Sequence, residues 1–376
     1  MGVTLTAVTR TRADSGVAGA RRTLAVYAAS RLLTLAVMWL AAHRFGYRLI
    51  ALLTSWDGNW FLMVVHSGYP KHVPLGEGVA AQSTLPFFPL YPLAIRAAAW
   101  VLPGSDAWAA IAVSLVCGAV GAVLVHRLTE LVADRRTADR VVVLYCLFPG
   151  SMVLSWAYSE ALMVTLAAGC LIALLRQRWL LAGILAGAAT ACRATAVILV
   201  VVCLWEAAAA VRRDRTWRPL IAPALAPAGI LAFFAYLWAH TGDPLAFLHA
   251  ERAWGVQPGV GRRTLHIIGQ VVQAPATKPT FTIAVVSLGF AVITAVLLVR
   301  RPWPRMLSVY ALGILAFSVV SRSDGLRPRD ILTAFPLLMA LGAAASATRF
   351  RQTVMIFVPL LLTSLVFHGI HTWAQP

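Results

Sequence analysis

Apolar stretches of membrane-spanning length recur from one end of the chain to the other, separated by short gaps that carry arginine. A straight helix needs roughly 20 apolar residues to cross a hydrocarbon core about 30 Å thick. Eleven stretches read as spans: 23–42, 107–126, 141–157, 160–175, 180–191, 195–210, 219–240, 281–299, 306–320, 331–347 and 353–371. Stretches 180–191 and 195–210 are the weakest of these, with one bent helix as the alternative. The pattern predicts an all-α polytopic bundle forming one domain over residues 1–376, because no gap is long enough for a separate soluble domain.

Composition supports this reading: 60% of residues are hydrophobic, 12% are charged, and mean hydropathy is +0.78. Soluble domains do not have such values. A net charge of +18 would suggest nucleic acid in a soluble protein. Here the arginines cluster between spans, so membrane topology accounts for them and no nucleic-acid partner is expected. Cys117, Cys146, Cys170, Cys192 and Cys203 all fall in apolar segments without a CxxC pair. Neither a disulfide framework nor a zinc site follows. Residues 1–22 read as a cytoplasmic tail ahead of an uncleaved anchor.

Basic residues set the orientation. Arg10, Arg12, Arg21 and Arg22, the cluster Arg127 to Arg140, Arg212 to Arg218 and Arg300 to Arg305 all fall in alternate gaps. The positive-inside rule puts those gaps and the N-terminus in the cytoplasm. Segments 43–106, 241–280 and 321–330 then lie outside, at a bacterial cytoplasmic (inner or plasma) membrane. Residues 86–102 are apolar enough to span, but a span there would reverse every later gap. With Pro86, Pro89, Pro92 and Pro103, they read as a broken interfacial helix in the first external loop.

The external segments hold the chemistry. Trp56-Asp57-Gly58-Asn59-Trp60 sets a carboxylate between two tryptophans just beyond the first span, where tryptophan favours the bilayer interface. Asp57 reads either as the N-cap of a helix over 56–66 or as a catalytic base. His66 lies on the same segment. Arg193, between two apolar stretches, needs an anion or water. It reads as a partner of Glu160, as a snorkelling side chain, or as a fork for phosphate oxygens. Arg327 and Arg329, flanking Pro328 on the external side, read as phosphate ligands, since stop-transfer arginines belong in the cytoplasm.

Several of these motifs carry a family likeness. Trp56-Asp57 with Phe61 and Gly68-Tyr69, followed by Phe87-Phe88-Pro89-Leu90-Tyr91-Pro92, resembles the first external loop of GPI mannosyltransferase 2, the PIG-V family of the GT-C glycosyltransferase superfamily. Tyr158-Ser159-Glu160-Ala161-Leu162, Arg193 after Ala186-Gly187-Ala188-Ala189-Thr190, and Arg329 before Ala334-Phe335-Pro336-Leu337 resemble further elements of it. Val64-Val65 and Met63 depart from the pattern, so the family's acceptor does not carry over.

The resemblance implies a GT-C-like bundle that transfers a sugar, mannose in that family, from a polyprenyl-phosphate donor to a lipid or glycolipid acceptor with inversion. It implies Asp57 as base and Arg193, Arg327 or Arg329 on the donor phosphate. Trp56, Trp60, His66, Tyr158, Glu160 and Trp254 would line the sugar and acceptor site. No cofactor and no metal site are expected. The rival readings are a lipid-linked-sugar flippase, which would show paired broken helices in two repeats, and a polysaccharide polymerase or ligase with one large external loop.

Overall fold

The computed structural model describes residues 3–76, 79–254, 269, 279–321 and 325–370, and these are helical almost throughout. In chain order the helices are α1 (Val3–Phe45), α2 (Leu49–Leu53), α3 (Asp57–Ser67), α4 (Leu90–Ala99), α5 (Asp106–Val132), α6 (Arg135–Leu147), α7 (Glu160–Leu175), α8 (Trp179–Thr190) and α9 (Val197–Asp214). They continue as α10 (Ile221–Leu225), α11 (Ala228–Thr241), α12 (Ala246–Arg252), α13 (Pro279–Val299), α14 (Arg305–Ser321), α15 (Pro328–Thr333), α16 (Pro336–Ala344) and α17 (Ala347–Ile370). Short 3-10 turns occupy Pro149–Leu154 and Ala194–Ala196. A two-residue antiparallel pairing joins Leu75–Gly76 to Val79–Ala80.

Among the described residues, six stretches are long and apolar enough to cross a membrane: Ala18–Phe45, Asp106–Val132, Ala194–Asp214, Arg218–Thr241, Thr282–Val299 and Ala347–His368. Shorter apolar helices run over Glu160–Leu175, Trp179–Thr190 and Arg305–Val320. Large apolar side chains such as Leu32, Trp39, Val116, Ile293 and Met355 face outward along the long helices. So much exposed apolar surface suits lipid, not water. The protein is a multi-pass, all-α membrane protein.

The expected spans 141–157 and 331–347 are not continuous. Pro149 stops α6, because the residue before a proline is driven out of the helical region, and Phe148 is extended at ψ 139°. Between α15 and α16 the backbone leaves the helix at Ala334 (φ −83°, ψ 42°), and Pro336, with no N–H for the helical ladder, opens the next helix. Arg193 is extended (φ −156°, ψ 147°), so the stretches on either side of it form two helices, not one bent helix. Residues 1–22, expected as a tail, are helical from Val3 and continuous with the first span; no proline interrupts them.

Helix α4 has ten residues and is about 15 Å long, half of what a crossing needs. It packs against α3 and α5. The bundle centre forms where α5 meets α7 and α7 meets α8, with α1 lying along α5 and α6. Tyr145, Trp156, Tyr158, Tyr310 and Phe335 are fully buried in the main core. Where α8 meets α10, small residues (Ala182, Ala186, Ala222, Ala226) are fully buried. In lipid such residues allow the close backbone approach that holds helices together.

Candidate active site

The breaks in the helices converge. Asp57 opens α3, where the helix dipole favours an anion. Trp56, not Asp57, occupies the N-cap position, so the expected capping role is not seen. Trp56 has φ 58° and ψ −120°, a conformation that costs a non-glycine residue strain and persists only where the surroundings impose it. The surroundings do impose it. The Ala157 N–H donates to the Leu53 carbonyl at 2.9 Å, and Gly58 sits so close to Ala157 that a Cβ would lie 3.3 Å from its carbonyl oxygen.

Arg329 comes from the first turn of α15. Its guanidinium donates to the Asp57 carboxylate at 2.9 Å and lies 3.7 Å from Glu160 Oε1. It also lies 5.4 Å from the centre of the Tyr158 ring. Gly150 makes this possible: a Cβ there would stand 2.4 Å from the Pro328 carbonyl oxygen and 2.8 Å from the Arg329 nitrogen. Arg193, on the extended link after α8, donates to Ser159 Oγ at 2.9 Å and pairs with Glu160 Oε2 at 3.0 Å.

Four charged groups therefore alternate in sign: Asp57, Arg329, Glu160, Arg193. The Glu160 side chain is 1% exposed and that of Arg329 4%. Burying ions at this depth is costly even when they are paired. The pairing is also incomplete, since Arg329 Nε and the Thr195 hydroxyl are buried without a hydrogen-bond partner among the described residues. Arg193 thus pairs with Glu160, and Glu160 joins it to the Asp57 cluster.

An aromatic group stands beside this cluster. Trp60, three residues beyond Asp57, stacks on Phe87 with ring centres 5.9 Å apart. Trp254 meets both edge-on, at 5.0 Å and 5.6 Å, and its indole N–H is buried without a hydrogen-bond partner among the described residues. Trp56 packs half-buried against the main core.

Other expected residues stand apart or lie farther out. His66 is on the opposite side of α3, 3.4 Å from the Asp106 carboxylate and largely exposed. Arg327 holds the N-cap position of α15, where its backbone N–H donates to Asp330 at 3.0 Å. Residues 255–268, with Arg262 and Arg263, lie outside the described residues. Among the described residues no group of three His, Cys, Asp or Glu is placed to hold a metal ion.

Two further arginines donate to main-chain oxygens. Arg96 of α4 donates to the Val65 carbonyl at 2.6 Å, clamping the C-terminal end of α3. Arg31 of α1 is buried among neutral oxygens. A lone charge inside an apolar span was the available signal for Arg31.

No protein-family model matches the chain, and no curated protein does. Solved structures do share its fold. ArnT from Cupriavidus metallidurans, bound to undecaprenyl phosphate, matches with a TM-score of 0.54 at 13% identity, over 93% of this chain and 65% of that one. The oligosaccharyltransferase of Archaeoglobus fulgidus in its apo form matches with a TM-score of 0.55 at 13% identity, over 92% of this chain and 56% of that one. The chain thus spans less than two thirds of the length of either. At this identity the likeness is one of fold.

Proposed function

We propose that the protein is a membrane glycosyltransferase that moves a sugar from a polyprenyl-phosphate donor to a lipid or glycolipid acceptor, with inversion. The observation that carries this reading is the buried alternation of Asp57, Arg329, Glu160 and Arg193 in a fold shared with a protein crystallised with undecaprenyl phosphate. The motif resemblance to the PIG-V family makes mannose the sugar. The basic-residue distribution puts the N-terminus in the cytoplasm and the site on the extracytoplasmic face of a bacterial cytoplasmic membrane. Segments 43–106 and 241–280 are then external loops of a single domain. A cysteine introduced at Ser105 labels from outside under this topology, and labelling from the cytoplasm overturns it.

In this mechanism the Asp57 carboxylate accepts the acceptor hydroxyl's proton as that oxygen attacks the anomeric carbon. The bond from that carbon to the phosphate oxygen breaks, and the electron pair leaves on polyprenyl phosphate. Arg329 and Arg193 stabilise the developing charge; Arg327 is near enough in sequence to assist. Asp57 is ion-paired to Arg329 at 2.9 Å. A donor phosphate that takes the Arg329 guanidinium therefore releases the base at the moment it is needed. Glu160 keeps the two guanidinium groups together while this exchange occurs. Trp60 and Trp254 offer apolar faces for the sugar, with Trp56 next to Asp57 and the buried Tyr158 ring against Arg329. His66, facing away, is left for the acceptor's approach.

The test is incubation of the purified protein with polyprenyl-phosphate mannose and membrane lipids. Release of polyprenyl phosphate together with a mannosylated lipid is expected. Release from a polyprenyl-phosphate glucose donor but not the mannose one would replace the sugar. Release from neither, while protein in liposomes moves the donor across the bilayer, would favour a flippase.

A further inference from the structure

We infer that Arg31 is a positioning residue for the donor-phosphate arginines, an inference that rests on the glycosyltransferase reading above. Arg31 stands in the middle of α1, in the longest helix of the bundle, and its side chain is nearly fully buried. It does not contact the Asp57 cluster. Apart from one to Ser30 on α1 itself, its hydrogen bonds run to the last turn of α6 and the segment between α6 and α7. Nη2 donates to the Cys146 carbonyl at 2.8 Å and to Ser151 Oγ at 3.1 Å. Nη1 donates to the Ser151 carbonyl and, at 3.2 Å, to Ser155 Oγ. Nε donates to Ser30 Oγ at 3.3 Å, and the guanidinium lies over the Tyr27 ring at 5.5 Å.

All these hydrogen-bond acceptors are neutral, and no carboxylate pairs with Arg31 among the described residues. A buried cation without an anion is expensive. A leucine would fill the same space at no such cost if packing were the only need. What the cation supplies is a fixed set of donors for a stretch of chain that Pro149 has forced out of the helical ladder. Non-helical backbone at membrane depth is tolerated only when its polar groups are satisfied inside the protein.

That stretch is the mount of the site. Its Gly150, next to the gripped Ser151, bears on the backbone of Pro328 and Arg329. Its far end, just past the gripped Ser155, leads through Tyr158 and Ser159 to Glu160. Arg31 thereby fixes where Arg329 stands relative to the Glu160–Arg193 pair. The distance between two phosphate-binding guanidinium groups follows from that placement. Displacements on the order of 1 Å at such a site cost up to about 100-fold.

The experiment uses the full-length protein with Arg31→Lys, Gly150→Ala and the double variant. Thermal stabilisation by added polyprenyl phosphate gives binding without turnover, and transfer kinetics give KM for donor and acceptor separately. Each single variant is expected to weaken polyprenyl phosphate binding and raise donor KM by about tenfold or more, with acceptor KM unchanged. The double variant is expected to be no worse than the poorer single one, because both act on one mount. Arg140→Lys is the control. Arg140 donates to the Ala345 carbonyl at 2.7 Å away from the site, and its loss is expected to lower the melting temperature while leaving donor KM as it was.

If Arg31→Lys lowers the melting temperature but leaves donor affinity at the wild-type value, Arg31 is a structural staple and the inference fails. Single effects that multiply in the double variant also overturn it. If Arg31→Lys does not fold, Gly150→Ala decides alone, and normal donor affinity there overturns the inference. A wild-type protein that neither binds polyprenyl phosphate nor transfers a sugar overturns the parent reading, and this inference with it.

Discussion

Two ends of the bundle carry charged side chains in different ways. At one end, ionised groups from α3, α7, α15 and the link at Arg193 meet in a buried alternation that no single helix could supply. At the other, Arg22 approaches Asp139 at 3.9 Å with 71% and 37% of their side chains exposed. His126 holds the same carboxylate at 3.0 Å, and Arg127 pairs with Glu130 within one turn of α5. Twenty residues of α5 separate Asp106, beside α3, from His126, about 30 Å. The second set is what helix ends and a basic membrane face require anyway. The first pays desolvation for no gain in stability that apolar packing would not give, and it leaves Arg329 Nε unsatisfied. Expensive, incompletely satisfied charge is where a ligand is to be sought.

The sharpest way to break this contrast is Asp57→Asn. The amide keeps the size and leaves Arg329 its Glu160 neighbour, but it cannot take a proton. Transfer is expected to fall by about 10²–10⁴, the range for losing a general base, with the melting temperature little changed. Activity within tenfold of wild type, about 1.4 kcal/mol, would make the buried cluster structural and put the two ends on one footing. Arg193→Lys comes next. Lysine keeps the charge beside Glu160 but cannot fork onto two oxygens, so donor KM is expected to rise by about tenfold with acceptor KM unchanged. Loss of stability with unaltered donor KM would reduce Arg193 to a helix pin.

The residues of the first end were legible in the sequence for the reason that makes them costly: Asp57, Glu160, Arg193 and Arg329 are conspicuous in apolar surroundings. Their adjacency was not. It depends on which helix breaks face each other, and the prolines at 149 and 336 announce breaks without pairing them. Gly150 against Pro328 is such a pairing, and nothing local specifies it. His66 stands apart from that cluster. Nine residues after Asp57 is two and a half turns, the opposite face, and the helical period alone would have set it apart. The capping option for Asp57 failed by one residue, because Trp56 holds that position in a strained conformation. Arg31 was visible as a lone charge, but its partners are backbone carbonyls and serine hydroxyls, which leave no charge signature.

The second end gives smaller effects. Asp134 caps α6: its carboxylate accepts the Thr137 N–H at 3.0 Å and the Thr137 hydroxyl at 2.8 Å. The backbone hydrogen bond from Thr137 is the main cause of its lowered pKa. A carboxyl depressed in the folded state stabilises the fold above its unfolded pKa and loses that contribution as pH falls through the folded one. Asp134→Ala is expected to cost about 1 kcal/mol near neutrality. The difference from wild type should shrink from about pH 4 downward, and donor and acceptor KM should not move. Thermal unfolding across pH checks the first part. A change in transfer kinetics would mean that this end is coupled to the site.

The smallest effect is expected at Arg22. Its guanidinium stands 3.9 Å from Asp139, at the limit of an ion pair, and most of the side chain is in solvent. Exposed pairs contribute about 0–1 kcal/mol, because water screens them and ordering a long side chain offsets the attraction. Asp139 also keeps His126 at 3.0 Å when Arg22 is gone. Arg22→Gln should therefore change stability by less than about 0.5 kcal/mol and leave transfer untouched, in low salt as in high. If unfolding instead shows a loss comparable to that of a buried pair, and the loss disappears in high salt, the exposed end carries real electrostatic weight. Burial would then not be what separates the two clusters, and the assignment of the site would rest on the helix breaks alone.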